Sequence, residues 1–352
     1  MTLLKEAKMK AGRIVVALVY LFVLLILFVT NANAAAQAQD QVIRFRYANF
    51  IPPSHKNAVN SEQFCKEIEK RSGGRVRITY LASGTFISAP QIYESTIKGV
   101  CDIGHSATAY SAGRFPLSEV LDLPLGSLSG TQATRLTNVF YKKFRPKEFD
   151  ETHVLYFHAP GPGLFHTKKV ISGIEDIKGM RIKANASSAK IIQAVGGSPI
   201  TMPISETYDA LQKGLVDGIA LNTDTLKSLK YSDHIHCTLE NTGVAYTTAL
   251  FVIMNKSKWN QLAPDIQKIF DEVSQKYSEK MGRAWDEADL EAKDFVMKKG
   301  GHTFVPASKE QITKAHEKMR PIMNEYLQRM KAKNLPGEEA LKFCEDWLRA
   351  NP

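Results

Sequence analysis

Lys183, Asn185, Ser187 and Ser188 crowd into one short stretch of the chain, and their types suit the reception of an anion. A permanent cation beside hydroxyl groups, at a point where a helix begins, offers charge, donors and free backbone N–H groups to a carboxylate or a phosphate. The competing reading is plain: a solvated strand-end lysine followed by serines that only cap a helix. Which one holds depends on the elements around them.

Residues 180–184 are apolar at alternate positions and bounded by Gly179 and Asn185, the pattern of a short β-strand. A helix follows, with Ser187 or Ser188 as its cap, Ile191, Ile192 and Val195 on one face, and Gly196 as its stop. Residues 198–202 make a second strand, a helix from Glu206 ends at Gly214, and residues 216–221 make a third strand. This β-α-β-α-β plan builds a parallel sheet with ligands outside the carboxyl ends of its strands. Ile204, Ser205, Leu221 and Asn222 fall there beside Lys183 and Asn185.

The first half of the chain repeats the plan. Residues 42–47 alternate as VIRFRY, residues 57–71 form an amphipathic helix ending at Gly73 and Gly74, and strands over 75–81 and 100–104 flank a helix over 89–98. Phe50 then sits in a proline-stiffened loop after the first strand, and Ser106 and Tyr110 at the end of the third. Two such sheets imply a ligand held between facing lobes. Residues 154–158 and 247–254 read as crossing strands, and residues 265–299 as one helix long enough to run along both lobes. The expected fold is α/β and two-lobed, each lobe an open, mostly parallel sheet flanked by helices. Residues 42–160 with about 248–295 form one lobe; residues 161–247 with about 296–352 and the C-terminal helices form the other.

The first 34 residues are set apart. Lys5, Lys8, Lys10 and Arg13 precede an apolar run over 14–29, and Ala32, Asn33 and Ala34 have the small-x-small form of a signal-peptidase site. Cleavage after Ala34 and delivery to the periplasm are expected, with a retained anchor as the alternative. Removing residues 1–34, which hold four basic side chains and one acidic one, lowers the formal net charge from +10 to +7. The remaining excess is interleaved with acids and lacks stacking aromatics, which argues against nucleic-acid binding. Cys65, Cys101, Cys237 and Cys344 allow three pairings of two bridges, or four buried thiols. His234 and His236 read as a loop in preference to a metal site, and HExxH, GxSxG, GxGxxG and P-loop motifs are missing. No catalytic residue, metal or cofactor is expected.

Several segments, taken in order behind the leader, resemble the periplasmic solute-binding proteins of tripartite ATP-independent periplasmic (TRAP) transporters. They are FIPPSH from Phe50, GRFPL from Gly113, DIKGMRIK ending at Lys183, PISETYDAL from Pro203 and GLVDG from Gly214. The resemblance implies a binding protein that closes over a small organic acid and passes it to TRAP membrane subunits. A sensor of the same fold and a periplasmic enzyme are the alternatives. It also implies a carboxylate clamped by a basic residue at the end of the strand after the D-x-K-G turn. The arginine usual there aligns with Lys183, while Arg181 shares its strand parity; a second family arginine, near Gly163, is missing. Lysine supplies a point charge in place of a planar fork. The candidate ligand residues are therefore Phe50, Ser106, Tyr110, Arg181, Lys183, Asn185, Ile204, Leu221 and Asn222.

Overall fold

The computed structural model describes residues 42–84, 86–111 and 113–352. The leader and its cleavage after Ala34 lie outside the described residues.

The first sheet has strand order β2-β1-β3-β10-β4, made of β1 (Ile43–Asn49), β2 (Val76–Leu81), β3 (Ile103–Ala107), β4 (Thr152–His158) and β10 (Leu250–Asn255). In β1 the alternation of the sequence becomes burial, with Phe45 and Tyr47 inward and Arg44 and Arg46 outward. The second sheet has order β11-β9-β5-β8-β6-β7, made of β5 (Leu164–Thr167), β6 (Arg181–Ala184), β7 (Ser198–Thr201), β8 (Gly218–Leu221), β9 (Cys237–Glu240) and β11 (Thr303–Pro306). The β-α-β units pair parallel, β1 with β2 and β3, and β6 with β7 and β8. The strands that arrive from the other lobe insert antiparallel: β10 between β3 and β4, and β5 between β8 and β9.

Two connectors join the lobes, 159–163 after β4 and 241–249 before β10, bridged where Gly163 pairs with Tyr246. The helix Pro264–Lys299 spans both lobes as expected. Its Phe270, Val273 and Met281 pack into the first-lobe core with Phe45 and Phe64, and its Val296 into the second-lobe cluster with Leu211 and Ile219. The end of the chain departs from the expected partition. Helix Lys309–Ala332 begins against the second lobe through Ala315 and Met319 and reaches the first through Tyr326 and Met330. Ala340, Leu341 and Cys344 of helix Gly337–Ala350 then join the first-lobe core.

Helix Gly130–Phe144 has no counterpart in the sequence reading, because its glycine and threonines are weak helix formers. Its cap is tertiary: besides Ser129, the Asp286 carboxylate of the long helix accepts from the Gly130 amide at 2.6 Å. All four cysteines are buried free thiols, which settles the pairing question.

Candidate functional site

The elements around Lys183 form where the sequence places them, but the polar groups divide the work differently. Asn185, not a serine, caps helix Ala186–Ala194: its Oδ1 accepts from the Ser188 amide at 2.8 Å, and the Ser188 hydroxyl accepts from the Asn185 amide at 3.0 Å. The Ser187 hydroxyl donates across the lobes to Asp122 Oδ2 at 2.8 Å. Both serines are thus committed. Lys183 remains, 2% exposed, and its Nζ has no hydrogen-bond or ion-pair partner among the described residues. Burial alone pulls its pKa from 10.5 to about 8.

Lys183 lines a cavity of about 90 Å³ between the lobes. Phe50, Tyr110, Leu250 and Trp285 close it from one side, Asn185, Ile204, Leu221 and Asn222 from the other, and Gly163 and Tyr246 of the connectors from behind. An outer cavity of about 570 Å³ shares Phe50, Ala109, Tyr110, Asn185 and Ile204 with it and extends past Pro90 and Met202. Seven of the nine candidates therefore meet at one place: Phe50, Tyr110, Lys183, Asn185, Ile204, Leu221 and Asn222.

Ser106 and Arg181 do not. Strand β3 continues to Ala107, so Ser106 is still in the sheet, opposite Phe251, and its hydroxyl donates to the Ala89 carbonyl at 2.8 Å. Arg181 shares the face of Lys183 but stands two residues earlier, about 7 Å back along β6. Its side chain is 46% exposed, and its guanidinium holds the Asp217 carboxylate through two bonds of 3.0 and 2.7 Å. Arg181→Ala is expected to leave the dissociation constant of any cleft ligand within about twofold, since a solvent-screened surface pair of this kind adds little to stability and nothing to the cavity; calorimetric titration checks it.

Trp285, Tyr246, Thr248 and Leu250 were missed. Trp285 reads as one more apolar position of a long helix, Thr248 and Leu250 as positions of the crossing strand over 247–254, which in the structure begins only at Leu250, and Tyr246 lies in the connector before it. A hydrogen-bond chain fixes the tryptophan. Its Nε1 donates to His158 Nδ1 at 2.9 Å, which leaves the His158 proton on Nε2 to donate to His105 Nε2 at 2.7 Å. Burial holds both imidazoles well below their usual pKa, His105 at about 3, so both stay neutral.

A second network crosses the cleft beside the cavity. His55 Nδ1 accepts from the Asn57 amide at 3.0 Å, so its proton is on Nε2 and is donated to Asp224 Oδ2 at 2.8 Å. The Asp224 amide donates to Asp289 Oδ1 at 2.7 Å, and the Asn222 amide group donates to both carboxylates. Burial first, and the neighbouring Asp224 second, push the Asp289 carboxyl well above its usual range. Asp122, under the connector, is raised to about 7 by the same desolvation.

No histidine, cysteine, aspartate or glutamate is among the described residues lining either cavity, and the described residues contain no metal-sized cluster of such groups. What the walls offer is recognition of an anion by one desolvated cation.

The comparisons with known proteins agree with this geometry. The family model for bacterial extracellular solute-binding protein, family 7, matches residues 47–329. A TRAP periplasmic solute-binding protein of Desulfovibrio salexigens is 30% identical and superposes with a TM-score of 0.79 over 87% of this chain and 95% of that one. A TRAP solute-binding protein of Rhodoferax ferrireducens, in complex with copurified benzoate, is 26% identical with a TM-score of 0.80 over 88% and 98%. The monocarboxylate 2-oxoacid-binding periplasmic protein of Nostoc sp. is 24% identical over 297 residues, 82% of this chain and 80% of that protein.

Proposed function

The chain belongs to family 7 of the bacterial extracellular solute-binding proteins, the solute-binding components of TRAP transporters, and from that premise we propose that it captures a small organic acid in its cleft and delivers it to separate membrane subunits. The observation that carries the reading is Lys183, a buried ammonium without a partner among the described residues, in the wall of the cavity between the lobes. A cation held out of water at such cost is explained by an anionic ligand that completes it. Benzoate in the Rhodoferax protein and the 2-oxoacid name of the Nostoc protein support the carboxylate class. A leader cleaved after Ala34 and the periplasmic location of its relatives support delivery of the protein to the periplasm. Asn185, Ile204, Leu221, Asn222, Phe50 and Tyr110 then surround the ligand.

The test is a thermal-shift screen of the purified protein, stripped of carried-over ligand by partial unfolding, against carboxylic acids and their amides. An acid at 100 times its dissociation constant adds about 2.7 kcal/mol of stability, read as several degrees. Acids that shift the melting curve while their amides do not are the expected result. Amides as effective as acids would remove the anion from the argument.

A further inference from the structure

The charge balance of the cleft says more than that an acid binds. Lys183 is the one charged side chain among the described residues lining the inner and outer cavities. It can neutralise one carboxylate and no second. The other polar groups of the inner wall, among them the Asn185 and Asn222 amides and the Thr247 and Thr248 hydroxyls, are uncharged, and most of the remaining wall is carbon. Tyr246 spends its hydroxyl on the Ala220 carbonyl at 2.7 Å and so presents its ring surface. That ring lies against the backbone of Gly163, where a Cβ would stand 2.3 Å from Tyr246 Cε1. While Tyr246 is there, position 163 has no room for a side chain of any kind, charged ones included. Where the two cavities meet, the Phe50 and Tyr110 rings stand edge to face with centroids 5.5 Å apart, across from Ile204. Beyond them the outer cavity widens toward Pro90, Met202 and Pro203.

We infer that the preferred ligands carry a single carboxylate on an apolar body of aryl size, with the carboxylate on Lys183 and the ring between Phe50, Tyr110 and Ile204. This rests on the carboxylate reading above and narrows it. A second carboxylate entering the inner cavity is stripped of water and meets no cation, and the outer cavity offers it only neutral donors. An aromatic body, by contrast, buries apolar surface against rings already arranged edge to face. Small acids without such a body leave that surface unfilled.

The experiment is calorimetric titration of the ligand-stripped protein with phenylacetate, phenylacetamide, phenylmalonate and succinate. Phenylacetate is expected to bind at least 100-fold more tightly than succinate and at least 30-fold more tightly than phenylmalonate, with no heat from phenylacetamide. Succinate or phenylmalonate binding as tightly as phenylacetate overturns the single-charge inference and leaves the carboxylate reading intact. Phenylacetamide binding as well as phenylacetate overturns both. A second arm adds a charge to the junction: Ile204→Arg should shift the succinate-to-phenylacetate affinity ratio at least tenfold in favour of succinate. The ratio is read within one preparation, so partial loss of folded protein does not distort it. An unchanged ratio with a cooperative melt counts against the inference.

Discussion

Lys183→Met is expected to weaken carboxylate binding by about 2–5 kcal/mol, roughly 30-fold to several thousandfold, and at the same time to make the ligand-free protein more stable. The two effects have one cause. An ammonium whose pKa falls from 10.5 to about 8 on burial costs the fold about 3 kcal/mol while it stays charged. The sign follows from proton counting: between pH 8 and 10.5 the unfolded chain holds more protons at this site than the folded one. The penalty is therefore present in full below pH 8 and relieved as pH rises toward 10.5. Methionine keeps the length and the apolar contacts without the charge, so a gain of a few degrees in melting temperature at pH 7 is expected. A bound carboxylate supplies the missing partner and raises the lysine pKa again. Affinity in the unsubstituted protein should accordingly be flat below pH 8 and fall toward tenfold per unit above it. Titration calorimetry at pH 7 and 9.5, with differential scanning calorimetry of both proteins, checks all three statements. A methionine variant that melts lower and binds as before would make Lys183 a structural residue.

His55→Asn separates the clasp between the lobes from the helix cap that shares its side chain. Asparagine can still accept from the Asn57 amide and cap helix Lys56–Arg71, but it is too short to reach Asp224. The bond lost is one from a buried imidazole to a buried carboxylate, of a kind worth about 1.5–3 kcal/mol. Asp224 keeps its donors from Ser228 and Asn222 within its own lobe, so the second lobe should stay folded. The loss should fall on the joined arrangement of the lobes. Ligand affinity is expected to drop about 10- to 100-fold, although His55 is not part of either cavity wall. X-ray scattering of the variant should give a larger radius of gyration than the unsubstituted protein at the same ligand concentration. Equal affinity and equal scattering would mean that the His55 contact does not hold the lobes together.

The second-lobe plan was readable because each unit carries its own punctuation: Gly196 and Gly214 take positive φ where the helices stop, and the strands alternate. The long helix was readable from periodicity. Helix Gly130–Phe144 was not, since one of its two caps comes from Asp286, 156 residues away. Strands β5, β9 and β11 are no shorter than β6, β7 and β8, at four residues each, but they lie outside the β-α-β units whose capped and glycine-stopped helices mark the bounds of the others. In the site, Lys183 and its neighbours at strand ends follow from topology. Ser106 fails because β3 runs on to Ala107, and Arg181 because matching strand parity says nothing about reach. Tyr246 and Trp285 enter from a connector and a bridging helix, whose positions depend on both lobes at once.

Within Pro264–Lys299, three consecutive duties fall in little more than one turn: Trp285 walls the cavity and holds His158, Asp286 caps the helix at Gly130, and Asp289 receives the Asp224 amide. Each faces its partner because the helix advances about 100° per residue. Inserting or deleting one residue anywhere between the start of this helix and Trp285 would turn all three away together, whatever the residue's chemistry. Lineages that keep this cleft can therefore vary the composition of the helix's outer face freely, but not the number of residues that lead up to the turn.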